Sequence, residues 1–263
     1  MTRLLTALLA ALVLALVPAT ASAGQKPKPT VVLVHGAFAD ASGWNGVTER
    51  LQARGYTVIA PPNPLRGVAS DAAYIRSFLS TVQGPIVLVG HSYGGFVITN
   101  AATGNPNVRA LVYIAAFAPA EGDTVQALQS MRPGAMLGPA TLDVRPYPLP
   151  DGTQGLEGSI KPSVFREVFA ADLPRKLAVI MAASQRPASL ATLGEPSGPP
   201  AWEDIPSWYL VAGRDNAIGT ANERIMAKRI DATTIEIKHA SHVVMTSRPG
   251  KTTKLILRAV KGS

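Results

Sequence analysis

A serine at position 92 sits in the stretch Gly90-His91-Ser92-Tyr93-Gly94-Gly95, directly after the apolar run 85–89. The pattern Gly-x-Ser-x-Gly after a buried strand puts a serine on a sharp strand-to-helix turn, where its hydroxyl stands clear of the sheet. Glycines at 90, 94 and 95 suit such a turn, because side chains there would hold helix and strand apart. A hydroxyl is a weak nucleophile until an imidazole takes its proton, and that imidazole works best when a carboxylate fixes its tautomer. A base and an acid must therefore lie elsewhere in the chain.

The chain has four histidines, so the base can be sought by elimination. His91 adjoins Ser92 and should point away from the hydroxyl. His35 belongs to the junction after the first strand and is expected to shape the pocket. His239 falls at a strand end, where a structural role is expected. His242 lies in the loop between the last strand and the last helix, from which it can reach the sheet's carboxyl edge; it is the preferred base, with His239 as alternative. The acid should follow another strand, because open α/β sheets gather their chemistry along that edge. Asp215, after the run 208–214, meets this requirement, and Asp123 is the reserve.

Acyl transfer also needs two donors aimed at the carbonyl oxygen as it becomes negative. The backbone N–H of Tyr93 supplies one. The other should come from His35-Gly36-Ala37-Phe38, where Ala37 is preferred over Phe38 as donor and His35, Phe38 and His91 are candidate pocket residues.

The elements that must position these groups alternate along the chain. Strands are expected at 30–34, 56–60, 85–89, 108–115, 207–212 and 233–238. Helices are expected at 44–53, 71–82 with Ser70 as N-cap, 96–102, one opened by a capping box of Thr220 and Glu223, and a final helix. Strand and helix in alternation predict a mostly parallel sheet with helices on both faces. Between about 119 and 200, Pro, Gly and Met become frequent. Two short helical patterns, 163–170 and 172–183, suggest a small cap insertion whose Phe165, Phe169, Leu177 and Met181 are read as core.

Residues 1–23 read as a signal peptide that is cleaved: Arg3, a Leu/Ala/Val run over 4–17, then Ala21-Ser22-Ala23. The mature chain, 24–263, is then one domain that is secreted or periplasmic, with no stable membrane insertion. Cysteine is absent, so disulfides do not staple the fold. The formal net charge is +8, but it is dispersed and aromatics total 6%, which argues against a nucleic-acid partner. Lys251, Lys254, Arg258 and Lys261 recur at helical spacing as one solvated basic face. Oligomeric state is not legible.

Together the His-Gly loop, the serine turn, Gly213-Arg214-Asp215 and Ser241-His242 resemble the α/β-hydrolase superfamily, over most of 30–118 and 205–260. Ser92, Asp215 and His242 also follow one another in that superfamily's chain order. Within it, the chain looks like bacterial hydrolases related to plant methyl-ester hydrolases and hydroxynitrile lyases. That resemblance implies an α/β-hydrolase fold and a reaction needing no cofactor or metal. The lyases carry a threonine at the place of Gly36 and a lysine at that of Val243, so the resemblance is to the esterases. Hydrolysis of a small or medium apolar ester through an acyl-enzyme is the expected reaction, falling off below about pH 6.5 as the base gains a proton. Two alternatives stand beside it: a cofactor-free perhydrolase using the same triad, and an exported small-molecule binder without catalysis.

Overall fold

The five residues Thr-Val-Val-Leu-Val are β-branched or aliphatic throughout, and β1 (Thr30–Val34) is buried on both faces from Val31 onward. Such a strand needs cover above and below, which parallel α/β sheets provide. The computed structural model describes residues 27–262, and the expected signal peptide lies outside them. After β1 come α1 (Asn45–Gln52), β2 (Val58–Ile59), α2 (Val68–Ser80), β3 (Ile86–Ser92), α3 (Gly94–Ala101) and β4 (Val108–Ala116). The chain then leaves the sheet through α4 (Val125–Gln129), β5 (Leu142–Pro148), β6 (Gln154–Ile160), α5 (Pro162–Phe169), α6 (Arg175–Ser184), β7 (Ala188–Ser189) and α7 (Ala191–Gly194). It returns as β8 (Ser207–Ala212), α8 (Thr220–Arg229), β9 (Thr233–Ile237), α9 (Val244–Ser247) and α10 (Pro249–Gly262).

Six strands form one sheet in the order β2-β1-β3-β4-β8-β9, every neighbouring pair parallel. Helices α1 and α10 pack together against it, as do α2 and α3. This is the α/β-hydrolase fold that the sequence predicts. The connection after β1 runs outward to β2, whereas that after β3 runs the other way to β4. Where neighbouring connections diverge, a crevice opens at the strands' carboxyl ends. Ser92 ends β3 at that crevice, and the His35–Phe38 loop leaves β1 beside it.

The insertion holds something the sequence does not announce: β5, β6 and β7 form an antiparallel sheet over the crevice. It is tied to the body through the loop before α2. Buried Glu157 on β6 pairs with Arg66 at 2.7 Å and Arg145 at 2.9 Å, and Ser189 donates its N–H to Leu65 O at 2.9 Å. Phe165 and Phe169 are core as expected, but Leu177 is exposed, on the solvent side of α6.

Two caps differ from expectation. Helix α2 begins three residues before Asp71 with Gly67 as N-cap, and Ser70 makes no cap. The free N–H groups of Val68 and Ala69 instead donate to the cap insertion's Glu195 carboxylate, at 2.6 and 2.9 Å, which a negative group at a helix N-terminus favours. Likewise α8 has Gly219 as N-cap; Thr220 Oγ1 donates to Ala212 O at 2.7 Å, and Glu223 turns into the interior rather than back along the helix. The basic residues of α10 are exposed along one face. Among the described residues, no helix is long and apolar enough to cross a membrane.

Candidate active site

The turn after β3 is strained where the chemistry is expected. Ser92 has φ of 54°, a left-handed backbone that a non-glycine residue adopts at a cost of order 1–3 kcal/mol when its surroundings enforce it. The surroundings do enforce it. A side chain on Gly94 would meet Val34 O at 2.6 Å, and one on Gly95 would run into Phe117 O, so α3 seats against the neighbouring strands with no spare room. Ser92 is 7% exposed and lies on the wall of a cavity of about 170 Å³.

His242 and Asp215 are brought together from loops that follow β9 and β8. Nδ1 of His242 lies 2.6 Å from Asp215 Oδ2, with both side chains shielded from solvent. Asp215 Oδ1 accepts the N–H groups of Ala217 and Ile218 at 2.7 and 2.8 Å. Burial by itself would raise the Asp215 pKa, but the opposing charge and hydrogen bond of His242, a hydrogen bond from Glu223 and the Ile218 amide outweigh it. Together they hold the carboxyl at about 2. A carboxylate kept ionised here makes Nδ1 the protonated ring atom, leaving the lone pair on Nε2. That Nε2 is buried and has no hydrogen-bond partner among the described residues, the Ser92 hydroxyl included.

The other histidines occupy distinct places. His91 is fully buried and donates Nε2–H to the main-chain carbonyl of His242 at 3.0 Å, its ring 4.6 Å from the His242 ring. Burial lowers its pKa well below the ordinary value, and the neighbouring His242 lowers it further. His35 accepts the Asn63 N–H on Nε2 at 3.0 Å, and burial lowers its pKa too. Neither His35 nor His91 lines the cavity; of the three candidate pocket residues only Phe38 does. His239 is exposed. Asp123, the reserve acid, is committed elsewhere, to Arg229 at 2.8 Å and the Ala120 N–H at 2.8 Å.

Ala37 and Tyr93 both line the cavity beside Ser92, and neither backbone N–H donates to a main-chain acceptor among the described residues. Tyr93 is anchored through its hydroxyl, which donates to Asp71 Oδ2 at 2.9 Å. The remaining walls are mostly apolar: Phe117, Leu137, Leu142, Leu190, Leu193 and Ile218. Of the polar residues there, Gln129 spends its amide on Leu137 O and Ala217 O, and Thr192 its hydroxyl on Ser189 O. A larger hollow, about 500 Å³ between α5 and α6, contains none of these groups.

Residues that sequence reasoning missed are those that hold His242. Phe169 from α5 stands edge-on to the His242 ring at 4.9 Å. Asp172 accepts the Ser241 hydroxyl at 2.5 Å, with Arg248 at 3.6 Å from its second oxygen. No motif in the sequence marks either, because the contact joins segments 69 residues apart.

The model of the "Alpha/beta hydrolase family" matches residues 31–254. The chain belongs to this family. It is similar to a carbendazim hydrolyzing esterase of Nocardioides sp. (strain SG-4G), 36% identical over 112 residues, which is 37% of this chain and 46% of that relative. A pyrethroid hydrolase of Sphingobium wenxiniae is 28% identical over 236 residues, covering 83% of this chain and 84% of its own. Among solved structures, polyneuridine aldehyde esterase superposes with a TM-score of 0.73 at 19% identity, over 88% of this chain and 99% of its own. A pyrethroid hydrolase from Sphingobium faniae JZ-2 gives 0.70 at 22% identity, over 89% and 97%. At these identities the superpositions bear on the fold.

Proposed function

We propose that this protein is a carboxylic ester hydrolase in which Ser92 attacks the substrate carbonyl, His242 is general base and then acid, and Asp215 orients His242. The observation that carries the reading is the 2.6 Å contact between His242 Nδ1 and a buried carboxylate, placed at the crevice that holds the strained Ser92. Because Nδ1–H is given to Asp215, Nε2 is the atom that takes the Ser92 proton; the hydroxyl must come within hydrogen-bonding reach of it in the substrate complex, a tightening common to such sites. The carbonyl oxygen becomes negative as Ser92 Oγ bonds to carbon, and the N–H groups of Tyr93 and Ala37 receive it, each worth roughly 3 kcal/mol to the transition state. Collapse expels the alcohol, which takes the proton from His242. Water then repeats the sequence on the acyl-enzyme and releases the acid.

A mainly apolar cavity of about 170 Å³ favours an uncharged acyl or alcohol group of small to medium size. The names of the curated relatives, a carbendazim hydrolyzing esterase and a pyrethroid hydrolase, support an ester-cleaving role on apolar small molecules. The same reading takes 1–23 as a signal peptide and 24–263 as the exported hydrolase domain, so the secreted or periplasmic form should begin at Gly24. The test is a panel of p-nitrophenyl esters of increasing acyl length. Turnover by the wild type that is abolished in S92A supports the proposal, and unchanged turnover in S92A refutes it.

A further inference from the structure

Glu223 is a buried acid in an unusual position. It lies in the first turn of α8, wholly shielded from solvent, and its carboxyl hydrogen-bonds the carboxyl of Asp215. One oxygen, Oε2, accepts the Ala212 N–H at 2.9 Å. The other, Oε1, meets no N–H or hydroxyl donor among the described residues. Asp215 meanwhile accepts from Ala217, Ile218 and His242, and so is the member of the pair whose negative charge is compensated. Two touching carboxylates in a dry interior cannot both ionise; one keeps a proton, and it is the one with fewer donors.

We propose that Glu223 is a positioning residue for Asp215: a carboxylic acid that remains protonated in the folded protein and donates Oε1–H to the Asp215 carboxylate. This rests on the reading of Asp215 as the acid that orients His242. The Glu223 O–H and the Ala217 and Ile218 amides then fix the carboxylate, while His242 takes the remaining face. The pair carries a single negative charge, matched to the single positive charge that His242 acquires when it accepts the Ser92 proton. Ionising Glu223 would add a second buried negative charge and make His242 reluctant to release its proton.

The surrounding groups favour the neutral form. Asp215 and Tyr209 face Glu223 in the interior, and Tyr209 spends its hydroxyl on Ala116 O. Glu236 and Arg224 lie outside, paired with each other at 2.7 Å. Burial, followed by the charge of Asp215, raises the Glu223 pKa well above the ordinary carboxylate range. The folded state therefore holds a proton that the unfolded chain releases above its ordinary pKa. Glu223 by itself therefore contributes stability that falls with rising pH, by up to tenfold in the folding constant per pH unit, until it ionises, a contribution of opposite sign to that of the buried histidines. Glutamine keeps the donor to Asp215 and the acceptor for Ala212 but cannot titrate.

The test compares wild type with Glu223→Gln and Glu223→Ala by infrared spectroscopy, denaturant unfolding from pH 5 to 9, and ester kinetics over the same range. The proposal expects a protonated-carboxyl stretch at neutral pH in the wild type that is missing from E223Q, and a stability of the wild type relative to E223Q that declines steadily as pH rises. It expects kcat to fall at least tenfold in E223A with KM nearly unchanged, and to be restored in E223Q to within about threefold of wild type. Absence of the band, or identical pH profiles of stability in wild type and E223Q, overturns it even if E223A fails to fold. If D215N leaves kcat unaltered, the catalytic reading of Asp215 fails, while the infrared and unfolding results still decide whether the proton is shared.

Discussion

His91, the residue before Ser92, donates its ring N–H to the main-chain carbonyl of His242 at 3.0 Å, so the serine turn holds the backbone of the histidine proposed as its base. The two segments are 151 residues apart and meet only in the folded protein. Packing reinforces the bond: the rings of Trp44 and Phe169 both stand edge-on to His91 at 6.3 Å. Replacing His91 by alanine removes a buried hydrogen bond and opens a cavity, a loss of roughly 2–4 kcal/mol. The expected outcome in thermal unfolding is a lowered Tm. The expected kinetic outcome is a fall in kcat of about tenfold, since small misplacements of a base are costly.

Asp172 extends the same logic from the cap. Its carboxylate accepts the hydroxyl of Ser241, immediately before His242. D172A should lower kcat/KM about tenfold through the displaced loop, with about 1–2 kcal/mol lost from stability. Because the two residues act through one bond, S241A added to D172A should cost little more, which a double-mutant cycle would measure.

Gly36 admits no side chain. A Cβ there would meet Ser92 Cβ at 2.6 Å and His91 O at 2.8 Å, both parts of a turn that cannot yield without moving Ser92. G36A should therefore reduce kcat by about a hundredfold or more while the protein stays folded. G194A, where an added Cβ meets nothing within 4 Å, is the matched control and should leave kcat unchanged.

Acid should destabilise the fold by two routes of the same sign. His35 and His91 have pKa values lowered by burial, so below about pH 6.5 the unfolded chain gains protons that the folded state refuses. Asp215, held at about 2, contributes stability above its unfolded value of 3.8 and loses it as pH falls from there toward 2. Measured against D215N, wild-type stability should thus decline more steeply between pH 4 and 2. Parallel curves would contradict the shift.

Much of the body was legible because its signals are local. The strand 207–212 is expected and observed with the same bounds, and the run ending in Ser92 is a strand, since continuous burial leaves continuous apolar sequence. The edge strand expected over 56–60 shrinks to Val58–Ile59, as only β1 pairs with it. The sheet of the cap was not legible: Leu-Asp-Val-Arg-Pro-Tyr-Pro and Gln-Gly-Leu-Glu-Gly-Ser-Ile alternate weakly, and proline and glycine mask strands whose outer face is exposed. Thr220 and Glu223 have capping-box spacing, yet the interior around Asp215 took Glu223 instead. A motif of four residues cannot report a tertiary partner. Ser70 failed likewise, because Glu195 arrives from the cap to serve the N-terminus of α2.

The central claim is that Ser92 is a nucleophile activated by His242. Mass spectrometry of the protein after a fluorophosphonate probe tests it most directly, read as the site and rate of phosphonylation in wild type and H242A. The account predicts one adduct, on Ser92, forming at least a thousandfold more slowly when His242 is replaced. An adduct on another residue, or a rate on Ser92 indifferent to residue 242, would contradict it.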